Sequence, residues 1–131
     1  MVEQRANRDR VDVWLAAFDD KADPLHADIT PSVLALIEMG LPGIEAVLDR
    51  LNAPARLTRK RAQRVIDGAL ARHLGWVSSV GFPTPESAER APAITEANGY
   101  DADADEPSRL AAIARWRDWL AAERTREKEQ Q

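Results

Sequence analysis

Cysteine is absent from the 131 residues, which removes disulfides, thiolate nucleophiles and thiolate metal ligands together. Histidine occurs twice, at His26 and His73, and a metal site would have to recruit both along with carboxylates. The spacing in His26-Ala27-Asp28 is too common to mark one. Each histidine therefore reads as structural or surface, and neither metal nor cofactor is expected. β-Branched residues are scarce: 14 Val and Ile stand against 23 Ala. That balance disfavours strands and suits helices whose backbones approach closely. Long apolar runs are missing, so no stretch is expected to cross a bilayer as a helix. The opening Met1-Val2-Glu3-Gln4-Arg5 holds no apolar signal core, and the expectation is a cytoplasmic protein. An excess of positive charge is missing too. With 18 basic and 22 acidic residues the net charge is −4, so no global basic field draws the chain to nucleic acid.

What the sequence does hold is helical periodicity over the length of one domain. Val11, Trp14, Leu15 and Phe18 stripe a helix expected over 8–20, with Asn7 as its cap and residues 1–6 frayed. Thr30-Pro31 is a strong start signal for a helix over 31–39, because the hydroxyl caps an orphan N–H and proline has none to lose. Val33, Leu34, Leu36 and Ile37 cover most of that helix, and Gly40 ends it as a left-handed cap residue. Pro42 opens a helix over 42–52, stopped by Asn52-Ala53-Pro54. Thr58 is the expected cap of a helix over 58–74.

Residues 75–106 carry Pro83, Pro85 and Pro92 with three glycines and no sustained period. They read as a long ordered loop, with at most a turn or two of helix within 85–90. Asp105 or Glu106 before Pro107 starts a last helix over 107–124, striped by Leu110, Ile113, Ala114, Arg117 and Leu120, with Trp116 and Trp119 broadening the stripe. The expected core is Leu34, Ile37, Ile44, Leu48, Leu51, Val65, Ile66, Leu70, Ile113 and Leu120.

The segment Leu41-Pro42-Gly43-Ile44-Glu45-Ala46-Val47-Leu48-Asp49-Arg50-Leu51, followed by Asn52-Ala53-Pro54, resembles the first helix of a HEAT repeat. Arg59-Lys60-Arg61-Ala62-Gln63-Arg64-Val65-Ile66 resembles its second. Asn98-Gly99-Tyr100-Asp101, Asp105-Glu106-Pro107 and Ala114-Arg115-Trp116-Arg117-Asp118-Trp119 are similar to the C-terminal segment of small bacterial HEAT-like proteins, in which an Arg-Trp-x-x-Trp helix closes the stack. Those proteins often carry a further aromatic where Leu120 stands. The resemblance implies an all-α, short HEAT-like α-solenoid of antiparallel helix pairs with a capping helix, and protein binding without a particular reaction. One domain over 1–131 then divides into a degenerate first pair (7–40), a HEAT-like pair (41–74), a long loop (75–106), a capping helix (107–125) and a polar tail (126–131).

No catalytic constellation stands out, so an enzyme is not expected. Gly75-Trp76-Val77-Ser78-Ser79-Val80-Gly81 lacks the glycine spacing of a nucleophile elbow. Asp101-Ala102-Asp103-Ala104-Asp105 has the first spacings of a calcium loop, but Glu106 and Ala112 stand where that loop needs Gly and Glu. The acidic run is either a lead-in to a helix N-terminus or a prong for a basic partner surface.

Two function classes follow. In the first, Trp76, Phe82, Tyr100, Asp101, Asp103 and Asp105 form an acidic aromatic binding surface. The chain is then a protein-interaction module, such as a cytoplasmic immunity protein covering a toxin or effector. In the second, the chain is a nucleic-acid-associated HEAT-like module whose basic row Arg56, Arg59, Lys60, Arg61 and Arg64, five charges within nine residues, holds the phosphates. The bland alternative for that row is a solvated helix face paired with Asp49 or Glu45, and the net negative charge favours it. Trp116 and Trp119 read as the cover of the core's end, with a binding hot spot as the alternative.

Overall fold

Thr30, Thr84 and Asp105 each place a side-chain oxygen on the third N–H that follows, and each opens a helix. The computed structural model describes residues 2–19 and 28–130, with side chains from residue 9 onward. Its elements are α1 (Val2–Ala16), α2 (Pro31–Glu38), α3 (Leu41–Val47), a 3-10 turn (Leu48–Asn52), α4 (Arg56–His73), α5 (Pro85–Asn98) and α6 (Glu106–Glu129). The chain is all-α. Among the described residues its only extended pairing is an isolated bridge between Val77 and Gly81.

α4 is the central element, flanked by α2, α3 and the 3-10 turn. Its inner face presents Ala62, Val65, Ile66, Ala69 and Leu70, all buried. The turn after α3 tightens the winding to about three residues per turn, which eclipses positions three apart. Leu48 and Leu51 are thus stacked on one side, and both are buried. α6 closes the core with Ile113, Trp116 and Leu120. Trp119 stands edge-on to Trp116, ring centres 5.6 Å apart, and is half-buried.

Several boundaries differ from the sequence expectations. α1 already runs from Val2, so Asn7 lies inside it and not at its cap. The good helix formers Glu3, Gln4, Arg5 and Ala6 extend the element backward. α4 begins two residues before Thr58, whose hydroxyl donates to Asp19 Oδ1 at 2.7 Å in place of capping. A carboxylate acceptor is the stronger partner.

The largest correction falls in residues 75–106. α5 occupies 14 of them. Pro92 lies within it and leaves the Ala88 carbonyl without its helical donor, but both residues are exposed, so water can serve that carbonyl. The polar tail is helical as well: α6 continues to Glu129, with Arg124 donating to Glu45 and Arg126 to Glu123.

Within the expected core, Leu34 is 53% exposed and Ile37 half-buried. α2 is rotated so that Ser32, Val33 and Leu36 face inward. In α6 the inward stripe is Ala112, Ile113, Trp116 and Leu120, while Leu110, Ala114 and Arg117 are exposed. His26 and the last residue of the helix expected over 8–20 fall outside the described residues.

Candidate functional site

The basic row and the acidic loop meet each other. Arg56 donates from Nε and Nη2 to the two oxygens of Asp103, at 2.5 and 3.1 Å, and Lys60 Nζ stands 3.7 Å away. The Arg56 hydrogen bonds hold the Asp103 carboxyl below the usual range. Arg59 binds the carbonyls of Ala102, Ala53 and Pro54, each at 2.9 Å. Arg61 is buried and donates to the Phe18 carbonyl at 3.1 Å. Arg64 pairs with Asp28 at 2.7 Å. Asp49 and Glu45, the expected partners of this row, are taken by Arg117 and Arg124 of α6.

Neighbouring groups of the loop are equally engaged. Tyr100 donates its hydroxyl to the Leu51 carbonyl at 2.6 Å. Burial pushes this phenol up to about 12, against the opposing pull of Arg59 and Arg109. Asp101 Oδ1 accepts from the Asp103 N–H at 2.8 Å, and Asp105 Oδ1 accepts from the Ser108 N–H at 2.9 Å. The three carboxylates of the run thus serve three separate partners. Phe82 packs half-buried against the core. Trp76 lies under the Arg72 guanidinium, 5.5 Å from ring centre to Cζ. From Lys60 to Arg72 α4 rises about 18 Å. Trp76 and the Asp103 clamp therefore stand toward opposite ends of that helix.

At the Trp76 end the structure holds a feature absent from the sequence reading. Gly68 of α4 sits against Ile37 of α2, so close that a Cβ there would stand 2.7 Å from the Ile37 side chain. Alongside this contact lies a groove of about 420 Å³. Ile29, Val33, Leu34 and Ile37 line one side; Asp67, Gly68, Ala71 and Trp76 line the other. Two ion pairs frame it, Arg64 with Asp28 and Arg72 with Glu38. The Arg64 hydrogen bond keeps the Asp28 carboxyl low. Between the pairs stands Asp67, whose carboxylate has no hydrogen-bond or ion-pair partner among the described residues. Desolvation raises its pKa, opposed by Arg64. The signal for this groove was in the sequence: Val33-Leu34-Ala35-Leu36-Ile37 holds more apolar surface than one buried face of an eight-residue helix can absorb.

A second cluster ties α4, α5 and α6 together. Glu123 is buried, and its carboxylate meets His73 Nε2 at 2.6 Å, Arg126 at 2.8 and 3.0 Å, and Arg90 at 3.4 Å. Burial works to raise this carboxyl, but the hydrogen bonds from Arg126 and His73 outweigh it and hold it low. Trp119 stands edge-on to His73 at 6.3 Å. Every oxygen of Glu123 is occupied, so the cluster has the form of a structural pin. Among the described residues no group of three or more His, Asp or Glu is placed to hold a metal ion, and no helix is long and apolar enough to cross a membrane.

No protein-family model, curated protein or solved structure matches the chain.

Proposed function

We propose that the chain is a non-catalytic protein–protein interaction module whose docking face is the groove between α2 and α4. The observation that carries this reading is Leu34, a large apolar side chain 53% exposed at the edge of an apolar trough. Exposed apolar surface framed by charged pairs is the usual make-up of a binding face. A HEAT-like reading of residues 41–74 accords with it, since stacked helix pairs commonly bind between neighbouring helices. The acidic loop is the weaker docking face, because its carboxylates already hold Arg56, Ser108 and the Asp103 N–H. An inhibitor of the immunity type remains one role within the proposed class, with the groove replacing the loop as its contact.

A random peptide library displayed on phage tests the proposal. Peptides should enrich on the wild type and lose binding on Leu34→Glu, whose folding should be intact because the position is exposed. Enrichment that ignores Leu34→Glu, or none at all, overturns it. The nucleic-acid reading draws no support from Arg56–Arg64, whose cations are already paired within the chain.

A further inference from the structure

Charge around the groove is uneven in a way that specifies an occupant. The Arg64–Asp28 and Arg72–Glu38 pairs are each neutral, and they stand at its two ends. Asp67 between them has no hydrogen-bond or ion-pair partner among the described residues, and the five charged groups at the groove, counting Asp28 beside the lining, sum to one net negative charge. Around it the walls are apolar, and Ile37 of α2 packs over Gly68 of α4 where the two helices meet. From Arg64 to Arg72 the trough runs about 12 Å along α4, which a helix of two to three turns would fill.

Building on the proposed function, we infer that the groove receives an amphipathic helix of a protein partner, with apolar side chains at i, i+4 and i+7 between α2 and α4 and a Lys or Arg over Asp67. Leu34 and Trp76 flank the apolar anchors, as helix-in-groove recognition requires. The cation meets an exposed carboxylate that has no ion-pair partner among the described residues. Asp67 also rejects an acidic helix of the same apolar pattern, which would bring like charges together beside apolar walls.

The test is a phage library of helical peptides with fixed apolar positions at i, i+4 and i+7 and the intervening positions randomised. Selection on the wild type should enrich Lys or Arg at one intervening position. Asp67→Asn should weaken the selected peptides by on the order of tenfold, the worth of one charge-assisted hydrogen bond. Asp67→Lys should move the selection to Asp or Glu at that position. Melting curves establish that each variant folds, and Asp67→Asn carries the test if Asp67→Lys does not. Enriched peptides that depend on Leu34 but show no basic bias, or that bind Asp67→Asn as well as wild type, overturn the inference while the proposed function stands. Absence of Leu34-dependent peptides overturns both. Sedimentation of the chain alone covers the remaining occupant: concentration-dependent dimers abolished by Leu34→Glu would assign the groove to a second copy and overturn the inference.

Discussion

Glu123 is a carboxylate that the fold has taken out of water and supplied with three cationic or ionisable partners. Glu123→Gln keeps the shape and removes the charge, leaving Arg90 and Arg126 to water, since both are partly exposed. The cost should be about 1–3 kcal/mol in urea unfolding at neutral pH, the range for an unmatched buried polar group. Its pH dependence has a definite sign. A carboxyl whose pKa is lowered on folding contributes stability that is complete above its ordinary value of 4.5 and is lost as pH falls through the lowered one. Wild type should therefore lose stability on the acid side of 4.5 faster than Glu123→Gln does. Tyr100 gives the opposite limb. It is the only tyrosine, so phenolate absorbance reports it alone, and at pH 10 the folded protein should show far less than half-ionisation because the group titrates at about 12. Half-ionisation at pH 10 would mean that the Tyr100 hydroxyl is not buried against Leu51. Single residues were legible where the chemistry is local: Asp105 caps α6 as its position before Pro107 implies. Leu34 was not, because which face of a short, all-round apolar helix turns inward depends on the helix it meets.

Two glycines separate the ways in which helices touch. A Cβ on Gly43 of α3 would collide with the backbone carbonyl of Leu36, whereas one on Gly68 meets only the Ile37 side chain. Backbone cannot step aside as a side chain can, so Gly43→Ala should be the more destabilising, by about 2 kcal/mol or more. Gly68→Ala should cost less and reshape the groove through a new Ile37 rotamer. Paired urea melts decide it, and equal losses would show that α2 and α3 are less closely packed than the structure has them. Element legibility followed periodicity. α2, α4 and α6 lie within a few residues of where their stripes put them. α5 went unread because its apolar contact with the core is little more than Ala91 and Ile94. So sparse a contact leaves no stripe, and Pro92 argued against a helix. Its capping signals, Thr84-Pro85 and Gly99, were nevertheless in the sequence.

For the whole molecule, composition was enough to imply an all-α chain, and the arrangement of surfaces was not. Arg56–Arg64 and Asp101–Asp105 were each legible as charged runs, but nothing local told that Arg56 and Lys60 would close on Asp103, more than forty residues away. The placement of α6 extends this point to the order of assembly. α2, α3 and α4 follow one another through very short connections, so their mutual contacts close small loops. α6 reaches the 3-10 turn only across α4, α5 and the segments between them, a closure that costs more chain entropy before it is rewarded. The nucleus should accordingly form among α2–α4, with α6 seating afterwards. In stopped-flow chevrons Ile66→Ala should slow refolding, while Leu120→Ala should leave the refolding limb nearly unchanged and act by speeding unfolding. Low φ-values along α6 and intermediate ones along α4 are the expected pattern; the reverse would mean that the two tryptophans of the last helix organise the chain from the outset. Late seating would also make α6 the first element to release in native-state hydrogen exchange, opening the molecule from its C-terminal side while α2 and α4 stay joined.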